Sequence, residues 1–337
     1  MANDTSTRLV PLLSVPLLLS SSLTYAQIAT LPSSPAAAPA AVAPTAPPSP
    51  MTGIRNKLAA GDLLSAESIL EVHREKNGED GPWLAGLGWL ARGAMLTGDL
   101  EKAELYAAQA RKECAERLAK GTVLATDHDL EGALGAAIEV EAQRLARTQN
   151  RNAAVAYVRS ELAALSPTPA LRSRLQKRIA LYTFEGHAAP ELVVEQHSGA
   201  AVAPSLAALR GQPVVLFLWA EWCGDCKAQA PSLARVLERH KAEGLRCIAV
   251  TRHYEDSDSA HKVESSRADS VWSAVSSGPA AGLRDVPRVM STASMIEYGA
   301  SATPSFVFID RKGIVRRYTP TRLSEAELER AVADILR

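Results

Sequence analysis

The stretch Trp222-Cys223-Gly224-Asp225-Cys226-Lys227 determines how this chain of 337 residues is interpreted. It follows an apolar run, Val214 to Trp219, that predicts a buried strand, and it precedes a helical pattern, Ala228 to His240. A Cys-x-x-Cys at such a junction places its first sulfur at a helix N-terminus, where free N–H groups and the dipole favour the thiolate. The second sulfur, nearly one turn later, is close enough to form a disulfide or to resolve a mixed one. The stretch therefore predicts thiol–disulfide exchange, with Cys223 attacking and Cys226 resolving.

A cysteine pair of this kind can also bind zinc or form a purely structural disulfide. A zinc site needs further ligands, but no second pair has ligand spacing and the seven histidines are scattered. A purely structural disulfide between residues three apart closes almost no loop and so stabilises little. Redox chemistry is the stronger interpretation, and we expect neither a metal nor a cofactor.

Length and charge narrow the choice of protein class. A chain of 337 residues suggests about two domains with ample core. Its 37 Lys and Arg residues balance 37 Asp and Glu residues, and no basic run is present. Nucleic-acid binding is therefore not expected.

Residues 1–26 predict an export signal. Arg8 precedes an apolar stretch from Leu9 to about Leu19, and Thr24-Tyr25-Ala26 offers a cleavage site. Two prolines make this stretch a poor transmembrane helix, although an uncleaved membrane anchor is the alternative. We expect an exported protein, periplasmic or otherwise extracytoplasmic. Residues 27–50, rich in Ala, Pro and Ser, predict an extended linker.

Residues 51–185 predict an all-α domain with an internal repeat. Gly61–Glu67 recurs as Gly98–Glu104, in a pattern that resembles tetratricopeptide repeats, and a third, degenerate unit is expected over Leu124–Leu165. Each Gly-Asp should end one helix and begin the next, with the aspartate near the N-cap. A generic array of helical hairpins is the alternative. Either arrangement predicts a binding or spacing module that contacts other proteins.

Residues 186–337 predict strands alternating with helices. The segment Ala189–Glu195 predicts a strand, His197-Ser198-Gly199 a turn, and Ala201–Pro204 the other strand of a hairpin. The other predicted elements are a mostly helical insert over Ser257–Ser277, strands at Phe306–Ile309 and Ile314–Tyr318, and a capped helix over Ser324–Leu336.

The segment Trp219–Lys227 resembles the active-site segment of thioredoxins. The order of elements around it is similar to that of TlpA-like and ResA-like thiol–disulfide oxidoreductases, extracytoplasmic members of the thioredoxin superfamily. The resemblance covers about residues 186–337 and implies an α/β thioredoxin-like fold. It also implies a cis bond between Thr303 and Pro304, which would form a docking wall facing the sulfurs, and a shielding role for Trp222. A membrane thiol-reductant partner is implied as well.

The carboxylates that such proteins use to move the proton of the second thiol are absent. Phe217 and Gln229 stand where thioredoxins and many ResA-like proteins, respectively, have an acid. The nearest remaining carboxylates are Asp225 and Glu221. Asp225 either accepts the proton of Cys226 or only occupies the first helical turn, where acids are favoured. In both cases its charge should oppose thiolate formation at Cys223, which we expect to be exposed.

The sequence therefore predicts an exported reductase of protein disulfides. One alternative is a binding protein in which the helical repeats recruit a client and the thioredoxin-like domain is a scaffold. Another is an oxidase that forms disulfides with the same residues. A peroxiredoxin is less favoured, because the two thiols sit in a Cys-x-x-Cys. The remaining cysteines, Cys114 and Cys247, are interpreted as small buried hydrophobic residues.

Overall fold

The computed structural model describes residues 50–254 and 265–337. The predicted signal, residues 1–26, and all but the last residue of the predicted linker lie outside the described residues, as does the first part of the predicted helical insert. Within the described ranges, no helix combines the length and apolarity that crossing a membrane requires.

Residues 50–183, all of them described, form a helical region. Its helices are α1 (Pro50–Ala59), α2 (Leu63–Asn77), α3 (Gly81–Thr97), α4 (Leu100–Ala119), α5 (His128–Thr148), α6 (Arg151–Ala164) and α7 (Pro169–Thr183). Asp62 and Asp99 cap α2 and α4 by accepting hydrogen bonds from the N–H groups of Ser65 and Lys102, as predicted. Each follows a glycine with φ of +75° or +86°, which a side chain would strain.

The helices of this region pack as successive neighbours. The central helix α3 contacts α1, α2, α4 and α5, while α5 also contacts α6 and α7. Fully buried alanines at positions 66, 91, 103 and 110 lie in the shared core and allow close approach. The turn between α5 and α6 falls at residues 149–150, within the predicted third unit. The region is thus helical throughout, while its assignment to the tetratricopeptide class stays a prediction.

The C-terminal part is built on a six-stranded sheet in the order β1-β4-β3-β2-β5-β6. Its strands are β1 (Gln196–Ser198), β2 (Val214–Leu218), β3 (Arg246–Thr251), β4 (Arg288–Met290), β5 (Ser305–Ile309) and β6 (Val315–Thr319). Strands β2, β3 and β4 run parallel, whereas β1, β5 and β6 pair antiparallel with their neighbours. Its described helices are α8 (Gly224–Arg239), α9 (Ser265–Val275), α10 (Thr292–Glu297) and α11 (Glu325–Leu336).

The sheet separates two hydrophobic cores. Val215 and Phe217 of β2 lie in one core, whereas Val214, Leu216 and Leu218 lie in the other. This alternation is what a strand buried on both faces requires. Residues of α8, α9 and α11 belong to the first core and residues of α7 and α10 to the second. The topology is that of the thioredoxin-like fold implied by the resemblance.

The predicted hairpin over residues 189–204 is wrong. Residues 189–195 form no strand, and β1 occupies the expected turn and pairs with β4 instead. The reason is that side chains satisfy this backbone: Ser294 Oγ accepts from the Val193 N–H and donates to the Val193 carbonyl, both at 2.9 Å. The Glu191 carboxylate accepts from the N–H groups of residues 206 and 207. No hairpin partner is then needed.

The helical region is packed directly against the thioredoxin-like part, across the predicted boundary near Gly186. Helix α7 contacts α10, and the Ser173 hydroxyl, fully buried, donates to the Met295 carbonyl at 3.4 Å. Gly299 lies so close to α7 that a Cβ there would overlap the backbone of Lys177. The loop after Gly299 is therefore held against a helix of the other part of the chain.

Candidate active site

The two cysteines of the Cys-x-x-Cys lie at the start of α8. Cys223 is the N-cap, and its Sγ accepts a hydrogen bond from the Cys226 N–H at 3.1 Å. The pair is joined in a disulfide with the two Cα atoms 5.3 Å apart. In the reduced protein the same N–H and the helix dipole would stabilise a thiolate on Cys223. The residues predicted to exchange electrons are thus within bonding distance of each other.

The loop before β5 lies opposite the sulfurs. Its Thr303–Pro304 bond is cis, as the resemblance implies. The Thr303 carbonyl oxygen lies 3.3 Å from Cys223 Sγ, within hydrogen-bonding reach of a thiol at this position. The structure therefore brings Cys223, Cys226, Thr303 and Pro304 together, although their role in docking a substrate stays a prediction.

The expectation that Cys223 is exposed is wrong, because only 4 % of the residue is accessible. It lies in the core on one side of the sheet, with its sulfur against the Thr303 carbonyl. Trp222 is the exposed residue instead, at 56 %, and its ring meets the Tyr254 ring edge-on with centroids 5.5 Å apart. A substrate that reaches the sulfur therefore has to pass Trp222 and the Thr303 loop.

Sequence reasoning missed Arg252 and Tyr254, which follow the carboxyl end of β3. The Arg252 guanidinium lies 4.8 Å from the Tyr254 ring centroid. Burial, with a smaller contribution from the nearby charge of Glu221, raises the pKa of Tyr254 to about 12. The signal for both residues was positional, since the carboxyl ends of parallel strands meet where such folds bind ligands.

Phe217 and Gln229, which stand where related proteins have an acid, have packing and hydrogen-bonding roles in this structure. Phe217 is fully buried, with its ring 5.3 Å from that of Phe306. Gln229 is 1 % exposed, and its amide both donates to the Leu323 carbonyl at 3.0 Å and accepts from the Leu323 N–H at 2.8 Å. The neutral amide of Gln229 thus connects α8 to the segment before α11. An acid at position 229 would instead place a charge there.

The remaining carboxylates near the pair differ in environment. Asp225 is 66 % exposed and pairs with Arg322 at 3.3 Å, so it lies at the surface of the first turn of α8. Glu221 is buried, at 4 % exposure. The surface ion pair favours the second interpretation of Asp225, an acid in the first turn of a helix.

The other two cysteines are buried and free, as predicted. Cys114 and Cys247 are 0 % and 7 % exposed, and burial raises the pKa of each thiol to about 12. Such thiols carry almost no thiolate at neutral pH and are poor nucleophiles. Among residues 50–254 and 265–337, no group of three or more His, Cys, Asp or Glu side chains is placed to hold a metal ion.

A family model and a curated protein are similar to parts of this chain. The AhpC/TSA family matches residues 186–318, less than half of the chain. Thiol-disulfide oxidoreductase ResA from Oceanobacillus iheyensis is 34 % identical over 68 residues, which are 20 % of this chain and 35 % of that protein. The chain therefore spans about a third of the length of this curated relative.

Solved structures are similar at low identity. A Chlorobium tepidum protein named as the thiol:disulfide interchange protein DsbE is 22 % identical, with a TM-score of 0.37, over 45 % of this chain and 98 % of the other. A thioredoxin-like superfamily protein is 20 % identical, also with a TM-score of 0.37, over 44 % of this chain and 96 % of the other. In this chain, the Cys-x-x-Cys lies at the N-terminus of α8, beside a six-stranded mixed sheet.

Proposed function

We propose that this protein reduces disulfides of other proteins outside the cytoplasm. The observation that carries the proposal is the Cys223–Cys226 pair at the N-terminus of α8, with Cys223 Sγ 3.3 Å from the Thr303 carbonyl. The ResA relative, named a thiol-disulfide oxidoreductase, supports it. The pair can alternate between disulfide and dithiol, and the loop gives an incoming chain backbone to contact.

The proposed reaction begins with the dithiol form. The Cys223 thiol loses its proton, and the resulting thiolate attacks one sulfur of the client disulfide. A mixed disulfide forms, and the other client sulfur leaves as a thiolate and takes up a proton. Cys226 then loses its proton and attacks the Cys223 sulfur. The enzyme disulfide forms and the second client thiolate is protonated. The client gains two electrons and two protons, and the enzyme loses the same.

Three further parts of the proposal concern the setting of this reaction. An export signal in residues 1–26 would carry the chain out of the cytoplasm, where a membrane thiol-reductant would restore the dithiol. The helical region, in which Gly-Asp pairs begin α2 and α4, is proposed to be of the tetratricopeptide kind and to contact partner proteins. Its successive packing of helices is what supports this assignment.

The test is reduction of insulin by the full chain with dithiothreitol as electron source. The wild type should accelerate precipitation of the insulin B chain, and Cys223→Ser should abolish the acceleration. Cys114→Ser, which removes a buried thiol distant in sequence, is the matched control and should retain it. A Cys223→Ser variant as active as the wild type would contradict the proposal, and so would an inactive wild type.

A further inference from the structure

A cleft connects the helical region with the candidate active site. Its volume is about 680 Å³, and residues of α3, α5 and α7 line one side. The other side consists of Trp222, the segment after β3 and the loop Ala300–Thr303. An object in this cleft would therefore touch both parts of the chain and the two residues that border the Cys223 sulfur.

The two walls are held in a fixed relation by close packing. Gly299 directly precedes the loop wall and lies against the backbone of Lys177, which itself lines the opposite wall. The Phe184 ring, just after α7, also meets the Tyr298 ring edge-on at 5.6 Å. Because tightly packed interfaces resist sliding, the cleft is a built feature of the chain.

The lining carries excess positive charge. The described lining residues include four cations, Arg92, Arg174, Lys177 and Arg252, and one carboxylate, Glu131. The buried Glu139 compensates part of this charge, through a 2.9 Å bond with Arg174 and a 3.5 Å ion pair with Arg92. No ion pair within the described part of the chain includes Lys177 or Arg252. The four described lining cations thus outnumber the three carboxylates found in or beside the described lining, Glu131, Glu139 and Glu221.

The pKa values of two lining cations agree with an excess of positive charge in the cleft. Burial lowers the pKa of Arg92 and of Lys177, and the neighbouring cations lower both further, against the opposing effect of Glu139. The charged forms are thus less stable than in water, and an anion in the cleft would stabilise them. In addition, Arg252 Nε and Thr303 Oγ1 are buried and have no hydrogen-bond partner among the described residues. Such polar atoms favour a polar ligand.

We propose that this cleft binds an acidic segment of the client polypeptide, next to the cystine that Cys223 attacks. The proposal rests on the proposed function, and it names the substrate class: disulfides flanked by Asp and Glu. The helical region would then select clients beside the sulfur, because its cations lie in the same cleft as Trp222 and Thr303. A polypeptide is favoured over a small disulfide because the lining extends from α3 to the loop at Thr303.

The test uses twelve-residue peptides that differ only in their flanks, which are Glu-rich, Lys-rich or Ser-rich. One set contains a cystine and reports the second-order rate of reduction by the full-length dithiol protein. A fluorescein-labelled set has alanine in place of cysteine and reports binding by anisotropy, without any redox step. The wild type should reduce and bind the Glu-rich peptide at least about tenfold better than the Lys-rich one, and 0.5 M salt should remove most of this preference.

Variants of the cleft residues then test whether the preference for the Glu-rich peptide comes from the cleft. Lys177→Gln combined with Arg252→Gln should reduce the preference for the Glu-rich peptide several-fold in both assays. The matched control combines Lys112→Gln and Lys241→Gln, two cations with 74 % exposed side chains outside the cleft lining, and should keep the preference. An unchanged preference in the cleft variant would overturn the proposal.

The remaining outcomes are also decisive. Equal binding of the Glu-rich and Lys-rich peptides would refute the claim that the cleft prefers an acidic segment. If oxidised glutathione were reduced faster than the Glu-rich cystine peptide, the claim that the ligand is a polypeptide would be refuted in favour of a small anionic disulfide. Selective binding of the Glu-rich peptide without reduction of any cystine would support the cleft and refute the proposed function, so that the two failures are distinguishable.

Discussion

At the residue scale, the reactivity of Cys223 depends on a small number of neighbouring groups. The Cys226 N–H and the start of α8 favour its thiolate, while the Asp225 carboxylate opposes it. Arg322 pairs with Asp225 at 3.3 Å and so offsets part of that opposition. Because both charged side chains are more than half exposed, solvent weakens their effect on the sulfur.

Replacing Asp225 and replacing Arg322 should shift the reduction potential of the Cys223–Cys226 couple in opposite directions. Asp225→Asn should lower the pKa of the Cys223 thiol and make the couple more oxidising, whereas Arg322→Gln should do the reverse. Each change should be at most about half a pKa unit, or ~15 mV for a two-electron couple. Redox titration against glutathione measures it. Shifts of the same sign in both variants would refute the charge argument.

Gln229 should contribute to stability through its two bonds to the Leu323 backbone. Gln229→Leu leaves a buried N–H and a buried carbonyl without partners and should lower the free energy of unfolding by about 2 kcal/mol. Urea denaturation measures the loss. Ser232→Ala, which removes the other side-chain partner of Gln229, is the control and should cost less. Equal losses in both variants would contradict this account.

At the element scale, the contact between α7 and the loop before β5 determines where the active-site wall lies. Gly299, with φ of +61°, lies directly against the Lys177 backbone. Gly299→Ala combines an unfavourable backbone conformation with a clash against a helix. We expect a loss of at least about 3 kcal/mol in the free energy of unfolding.

The matched control for this clash is Gly186→Ala. Gly186 has φ of +84°, but among the described residues no atom beyond its two chain neighbours lies within 4 Å of an added Cβ. It should therefore lose only about 1 kcal/mol, the cost of the backbone conformation alone. Urea unfolding of both variants separates the two effects. If the two alanine variants were equally stable, the packing of α7 on this loop would not be as described.

Glu139 joins α3, α5 and α7 and should make stability depend on pH. Burial alone would raise its pKa, but Arg174 and Arg92 outweigh this and lower the pKa from 4.5 to about 2. The stabilisation is complete above pH 4.5 and is lost as pH falls towards 2, by about 3 kcal/mol. Glu139→Gln should remove this part of the acid sensitivity, measured by urea unfolding between pH 5 and pH 2.

The control is Glu141→Gln, which removes a carboxylate from the same helix whose side chain is 31 % exposed and pairs with Arg144. It should keep the acid sensitivity of the wild type. A Glu139→Gln variant whose stability falls as steeply with acid as that of the control would contradict the assignment.

At the scale of the whole molecule, local sequence patterns were enough to predict many secondary-structure elements. How those elements pack against one another could be predicted only in small part. The start of α8, the N-caps at Asp62 and Asp99 and the strand Ser305–Ile309 follow from short-range chemistry visible in the sequence. The hairpin prediction was wrong because Ser294, about a hundred residues away, satisfies the Val193 backbone.

The candidate site shows the same division. Cys223, Cys226 and the Thr303–Pro304 loop were predicted from their motifs, and the structure places them together. The burial of Cys223 was not predicted, because it depends on how closely that loop approaches α8. The cationic cleft was not predicted either, since its residues come from helices and loops distant in sequence and meet only when α7 packs on the loop.

The most direct test of the central claim is to trap the mixed disulfide. The full-length Cys226→Ser protein, mixed with a peptide that contains a cystine, should retain the peptide covalently, and mass spectrometry of the digest should place the bond at Cys223. Cys223→Ser combined with Cys226→Ser should trap none. A bond at Cys114 or Cys247, or no adduct on the single variant, would contradict the claim that Cys223 is the attacking thiol.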